Sequence, residues 1–287
     1  MCLTYGSAPH HHNQTQKMND AKMLEGHIAL VTGSGRGLGY AIAHRLAELG
    51  ADVAIHDRSQ EAPAEFGEFE SLDASAASIA ELGVRTVGVV GDIADEAATE
   101  ALAREVEARL GPLTILVNCA GGDIAAKGGK PNPNTGLGIK LEDVRALVDR
   151  NLIGTMLMCR AVMPGMIERH RGSVVNIASG AAHFGVSSEV AYASVKAAIV
   201  HYTRCMAVET RSEGVRINVV SPGATKTGRF MATRPTDPDR MIEGYSLNRY
   251  ANPREIANGV AFLASDMASF VHGQVLRVDG GNTLFPG

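Results

Sequence analysis

Residues 28–49 read IALVTGSGRGLGYAIAHRLAEL, and their order decides the fold. Ile28 to Thr32 is a short apolar run, a strand by length and composition. Gly33 to Gly39 is a glycine loop, and Tyr40 to Leu49 sets Ile42, Leu46 and Leu49 at helical spacing. The loop departs from GxGxxG, because Leu38 and Tyr40 stand where a third glycine would fall. The physics survives the departure: glycines let the backbone pass close to a pyrophosphate, and a following helix N-terminus favours anions. Gly33, Ser34, Arg36, Gly37, Leu38 and Gly39 are therefore candidate contacts to a dinucleotide.

The same alternation continues outward. Strands are expected at Ala51–His56, Thr86–Val90, Leu113–Val117, Ser173–Ile177, Val215–Val220 and Gln274–Val278. Helices are expected between them, including one long helix over Leu141–His170 and others at Val190–Arg211 and Pro253–Ala264. Such alternation predicts an α/β fold, a doubly wound parallel sheet of the Rossmann type with helices on both faces. No repeat or proline-rich linker divides the chain, so a single domain is expected over 25–287. Residues 1–24, polar and carrying His10-His11-His12, read as a disordered N-terminal extension.

Composition narrows the function. The chain has 287 residues, 45% hydrophobic and 20% charged, with a net charge of −4. That balance argues against a nucleic-acid partner or an anionic membrane surface. No apolar run is long enough to span a bilayer, and no signal peptide is evident. Cys2, Cys119, Cys159 and Cys205 show no CxxC and no metal spacing, so they read as free thiols of a cytoplasmic protein. None of the ten histidines forms a ligand motif, so no metal is expected.

Two further signals carry chemistry. Asp57 closes the second strand 18 residues after Gly39, where a carboxylate suits ribose hydroxyls and repels a 2′-phosphate. That favours NAD, although Arg36 and Arg58 are guanidiniums that could take the phosphate of NADP. Tyr192 and Lys196 lie four apart on one face of an expected helix, where a cation beside a phenol favours proton exchange.

Together these residues resemble the classical short-chain dehydrogenase/reductase family over about Leu24–Gly281. Thr32–Gly39 matches TGxxxGxG, Asp92-Ile93 ends the third strand, and Asn118-Cys119-Ala120-Gly121 is similar to NNAG. Asn151, Ser179 and Tyr192-x-x-x-Lys196 match the catalytic set, while Pro222-Gly223, Thr225 and Thr227 lie in the PGxxxT segment. The resemblance implies hydride transfer between a secondary alcohol or ketone and a nicotinamide, the cofactor carrying the hard step. It implies Tyr192 as general acid/base, Ser179 as orienter of the substrate oxygen, and Lys196 on the nicotinamide ribose, lowering the Tyr192 pKa. Asn151 would hold a water that relays protons from Lys196. Asp92, Ile93, Asn118, Ala120, Gly121, Pro222, Gly223, Thr225 and Thr227 would contact the cofactor with the glycine loop, Asp57 and Arg58.

Departures are informative. Cys119 replaces the second Asn of NNAG. A Glu-rich stretch over Gln60–Ser75 reads as a solvated acidic excursion, and Gly122–Lys140 as an extra loop edging the ligand crevice. Lys226–Arg240 and Gly122–Lys140 each carry a net charge of +2, which suggests a polar small-molecule substrate: a sugar, polyol or hydroxy acid. Ordinary solvated charges explain them equally well. His183 is a candidate substrate contact beside Ser179 and Tyr192. The alternative is an NADPH-dependent ketone or 3-oxoacyl reductase; a non-catalytic nicotinamide-binding regulator is a remote third. The resemblance also implies a homodimer or homotetramer through the helices around 141–170 and 190–211. Met156, Met158, Met163 and Met166 suit such an interface or a core.

Overall fold

The computed structural model describes residues 23–284. Ile28–Val31 (β1) is buried along its whole length, as a strand covered on both faces must be. The other strands are Asp52–Asp57 (β2), Thr86–Val90 (β3), Ile115–Asn118 (β4), Gly172–Ile177 (β5), Val215–Pro222 (β6) and Val275–Val278 (β7). They form one sheet in the order β3-β2-β1-β4-β5-β6-β7, and every pairing is parallel. The order reverses between β1 and β4, so a crevice opens there at the carboxyl ends of the strands.

Helices cover both faces. Gly37–Glu48 (α1), Leu72–Ala80 (α2) and Pro253–Ala264 (α8) bury Ile42, Leu46, Leu72, Ile79, Ile256 and Val260 on one side. Glu96–Leu110 (α3) and Gly154–Glu168 (α5) bury Leu102, Val106, Met158, Met163 and Met166 on the other. Those three methionines are thus core side chains of the chain itself, and Met156 is half-buried. Leu141–Val148 (α4), Val190–Glu209 (α6) and Gly228–Thr233 (α7) complete the helices that bear on the site.

Two boundaries differ from expectation. The stretch 141–170 is two α-helices joined by a π-helical turn over Asp149–Ile153, in which the Gly154 N–H donates to the Asp149 carbonyl. The extra residue of the turn leaves the backbone helical and the composition helix-like, so residues 141–170 read as one helix in the sequence. The proposed extension over residues 1–24 lies outside the described residues as far as residue 22. Leu24 belongs to the folded body: it is fully buried, and its N–H donates to the Leu49 carbonyl at 2.7 Å.

The start of α8 carries a capping box. Asn252 accepts from the Arg254 N–H, while Glu255 accepts from the Asn252 N–H and pairs with Arg249 at 2.6 Å. The Arg249 hydrogen bonds, with the Asn252 N–H, pull the Glu255 carboxyl down to about 2. A depressed carboxylate stabilises above its unfolded pKa and loses that contribution as pH falls through the folded one. Glu255→Gln is therefore expected to cost under about 1 kcal/mol at neutral pH, since water screens this half-exposed pair. Denaturant titrations should show the difference from wild type fading as pH falls from about 4.5 toward about 2.

Candidate active site

The crevice at the β1/β4 reversal is a cleft of about 970 Å³. Glycines build its nucleotide end. Gly33 has φ +63°, and a Cβ there would lie 2.7 Å from the Ala120 Cα. A Cβ on Gly39 would lie 2.2 Å from the Gly33 carbonyl oxygen, so the loop closes tightly on the first turn of α1. Thr32 ties this loop to the exit of β4, its Oγ1 accepting the N–H groups of Cys119 and Ala120 at 3.1 Å.

His56, which sequence reasoning passed over, ties the loop to the exit of β3. Its Nδ1 accepts the Gly33 N–H at 3.2 Å, so Nε2 carries the hydrogen donated to the Gly91 carbonyl at 3.0 Å. Burial holds its pKa below the ordinary histidine value, which keeps this neutral tautomer in place.

Gly33, Gly37, Leu38, Gly39, Asp57, Arg58, Asp92, Ile93, Ala120, Gly121, Pro222, Gly223, Thr225 and Thr227 all line the cleft, as does Arg36. Ser34 and Asn118 do not. Ser34 is fully buried, donating to the Val31 carbonyl and accepting the His56 N–H. Asn118 turns into the sheet, where Nδ2 donates to Asn176 Oδ1 at 2.8 Å. Their backbone neighbours face the cleft, but each side chain satisfies the buried sheet instead.

At the other end, α6 brings Tyr192 and Lys196 against Ser179, which follows β5. The Ser179 side chain lies beside the Tyr192 phenol and acts to lower its pKa, while its Oγ accepts the Ala181 N–H at 3.3 Å. Lys196 is buried, with Nζ donating to the Ile177 carbonyl at 2.9 Å and lying 5.8 Å from the Tyr192 ring centre. Burial pulls the Lys196 ammonium down to about 8. Burial also pushes the Tyr192 phenol above its ordinary value, against the Ser179 side chain and the charges of Arg234 and Arg229. The expected lowering by Lys196 is thus not the outcome here: desolvation outweighs the cations that face the phenol. Burial likewise pushes the Cys119 thiol up to about 12, so it stays protonated and unreactive.

Asn151 sits in the π-helical turn, fully buried. Both its amide hydrogens are taken, by the Gly122 and Leu147 carbonyls at 3.1 and 2.9 Å, and Oδ1 accepts the Gly122 N–H at 2.8 Å. Its side chain therefore clamps the Gly121-Gly122 turn rather than leaving a donor for a relay water. His183 is also displaced from its expected role. Its Nε2 meets Ser221 Oγ at 2.8 Å, and the cleft is lined by its neighbours Ala181 and Phe184.

The two extra loops edge this cleft. Gly122, Asp123, Ile124 and Gly128 of the second one line it. Buried Asp123 accepts from Asn134 at 2.8 Å and lies 3.4 Å from Lys130, which also pairs with Glu189 just before α6. Burial and the Glu189 charge raise the Asp123 pKa. The Gln60–Ser75 stretch is not a solvated excursion. It packs a 3-10 turn (Ala62–Phe66) against the glycine loop, where Glu68 accepts the Gly37 N–H at 2.7 Å. Arg229 on α7 reaches the Gly121 and Asp123 carbonyls at 3.3 Å, and Arg234 pairs with Glu189 at 3.2 Å. Arg229 and Arg234 lie in the charged segment after the PGxxxT residues; Glu65 and His56 reach the site through tertiary folding, Glu65 with only its charge as a sequence signal.

Among the described residues, no group of three His, Cys, Asp or Glu side chains is placed to hold a metal, and no helix is long and apolar enough to cross a membrane. Residues 33–283 match the family described as enoyl-(acyl carrier protein) reductase. Cyclohexanol dehydrogenase of Rhodococcus sp. (strain TK6) is 34% identical, over 93% of this chain and 99% of that one. 2-(S)-Hydroxypropyl-CoM dehydrogenase 3 of Xanthobacter autotrophicus is 35% identical, over 91% and 98%; the 3-oxoacyl-[acyl-carrier-protein] reductase of Escherichia coli is 32% identical, over 90% and 98%. The structure of a 7α-hydroxysteroid dehydrogenase complexed with NADH superposes with a TM-score of 0.76 at 30% identity, covering 91% of this chain and 96% of that one. With these likenesses spanning both ends of the cleft, the chain is an oxidoreductase of CH–OH and keto groups, and it belongs to the classical short-chain dehydrogenase/reductase family.

Proposed function

We propose that the chain interconverts a secondary alcohol and its ketone with NAD, on a small, polar, hydroxylated substrate such as a sugar, polyol or hydroxy acid. The observation that carries this reading is one cleft with Ser179, Tyr192 and Lys196 at one end and Asp57 beside the glycine loop at the other. The residues fit a nicotinamide dinucleotide: the closeness of Gly39 to the Gly33 carbonyl leaves no room for a side chain where a phosphate must approach backbone. When bound, the nicotinamide takes or supplies the hydride.

The protein does the rest. Tyr192 Oη gives its proton to the carbonyl oxygen in reduction and receives it from the hydroxyl in oxidation. Ser179 Oγ hydrogen-bonds the same oxygen and orients it. Lys196 Nζ serves the ribose hydroxyls; with its pKa drawn down to about 8 it can lose a proton near working pH. Asn151 keeps the Gly121-Gly122 turn in place.

Arg229 and Arg234 support the polar substrate. Both line the cleft, both act electrostatically on Tyr192, and Arg229 has only main-chain carbonyls at its donors. A substrate carboxylate offers an arginine a charge-assisted, two-point contact that a neutral alcohol lacks. The 3-oxoacyl-[acyl-carrier-protein] reductases among the relatives favour a second reading, an NADPH-dependent ketone reductase.

The test is initial rates with NAD and NADP over a panel of sugars, polyols, hydroxy acids, simple secondary alcohols and hydroxysteroids. Turnover of hydroxy acids or polyols with NAD is expected. Arg229→Ala should then raise KM for the carboxylated substrates by about ten- to a hundredfold, since hydrogen bonds to charged groups contribute about 1.5–3 kcal/mol. Turnover of apolar members alone would remove the polar-substrate reading. Turnover with NADP alone would leave the reductase. Assembly is part of the same proposal: exposed Val208 on α6 and Phe270 after α8 share one flank suited to burial between copies. Sedimentation equilibrium should give a dimer or tetramer.

A further inference from the structure

Arg36 and Arg58 line the cleft with Asp57, and both guanidiniums meet a single glutamate. Arg36 Nη2 donates to Glu65 Oε2 at 2.7 Å, and Arg58 Nη2 lies 3.7 Å from the same oxygen. Arg36 is committed twice more, its Nε to the Ala62 carbonyl at 3.1 Å and its face to the Phe66 ring at 4.4 Å. Glu65 lines the cleft together with Asp57, Arg58 and Ser59.

The surrounding turn holds Glu65 in place. Pro63 seats on the glycine loop so closely that a Cβ on Gly35 would lie 2.7 Å from it. Gly67, at φ +69°, turns the chain out of the 3-10 turn. Glu68 then accepts the Gly37 N–H, and the Ser71 side chain caps α2. The insertion is docked on the nucleotide loop at both ends of Glu65.

We propose that Glu65 is a cofactor-specificity residue: it holds Arg36 and Arg58 and adds a second carboxylate to Asp57 where a ribose 2′-phosphate would lie, so that NADP is rejected. This rests on the NAD reading above. A 2′-phosphate brings up to two negative charges and needs a guanidinium to receive them. With Asp57 and Glu65 both present, the four side chains sum to zero formal charge. Without Glu65 the balance turns positive, and Arg36 Nη2 and Arg58 lose their shared carboxylate while Arg36 stays seated on the Ala62 carbonyl and the Phe66 ring. Asp57 would then be the one carboxylate set against two guanidiniums, so the insertion supplies the deciding charge.

The experiment is titration of the full-length protein with NADH and with NADPH by nicotinamide fluorescence, which needs no substrate. Wild type is expected to bind NADH more tightly. In Glu65→Gln, and in Glu65→Ala run beside it, the NADPH-to-NADH affinity ratio should rise about five- to tenfold, the scale of one screened charge acting on a nearby phosphate. Adding Arg36→Ala to Glu65→Gln should reverse most of that rise, and Glu65→Asp, which keeps the carboxylate, should hold the ratio near wild type. A wild type that prefers NADH, with a ratio unmoved by either Glu65 variant, overturns the role of Glu65 and leaves the NAD reading standing. A wild type that prefers NADPH overturns the NAD reading itself.

Discussion

Tyr192→Phe is expected to lower kcat by about three orders of magnitude while NADH still binds. General acid–base catalysis contributes on the order of 10²–10⁴ in rate. The substitution removes the Oη that reaches the reacting oxygen and leaves the ring that packs near Lys196. Ser179 remains in the cleft to hold the substrate oxygen, so the loss is that of the proton source. Steady-state kinetics on the substrate found by the panel, beside NADH fluorescence titration, separates the two effects. A kcat within tenfold of wild type would remove Tyr192 from the proton transfer.

Gly39→Ala is the second large effect. The added methyl would sit 2.2 Å from the Gly33 oxygen and 2.8 Å from Gly33 C and Ser34 Cα, all backbone atoms with no rotamer to yield. The loop or the first turn of α1 must move, yet α1 is pinned by Ile42 and Leu46 in the core. Overpacking costs about 1–3 kcal/mol, and a backbone clash belongs at the upper end. That corresponds to a fall in Tm of about 6–12 °C for a domain of this size. Moving the backbone donors should also weaken NADH binding by about ten- to a hundredfold. Gly185→Ala, with nothing within 4 Å of the added carbon, is the control and should change neither. A thermal shift below about 2 °C for Gly39→Ala would show that the loop has slack the geometry denies.

The features legible in the sequence are those set by local chemistry. The strand, the glycine loop and the helix of residues 28–49 each carry their own signal, and Tyr192 and Lys196 meet through the pitch of one helix. Side-chain direction is another matter. Ser34 and Asn118 occupy family positions yet turn inward, because the buried ends of the central strands offer them partners. His183 goes to Ser221 for the same reason. The Glu-rich stretch looked solvated because its composition is polar. Its carboxylates meet Arg36 and the Gly37 N–H only after Pro63 and Gly67 have folded the turn back. The methionines of α5 read equally as interface or core until the sheet is laid against them.

The π-helical turn at Asp149–Ile153 makes the spacing between α4 and α5 a matter of counting residues. Each residue of an α-helix advances the chain by about 100° and 1.5 Å. Deleting one residue from the turn would regularise the hydrogen-bond ladder, a local gain. It would also swing α4 about 100° around its axis relative to α5. Leu147, fully buried, would rotate off the core, and the Asn151 clamp on Gly122 would be lost with it. This helix is therefore a segment where a single-codon deletion should be rejected, however well the shortened peptide would form a helix alone.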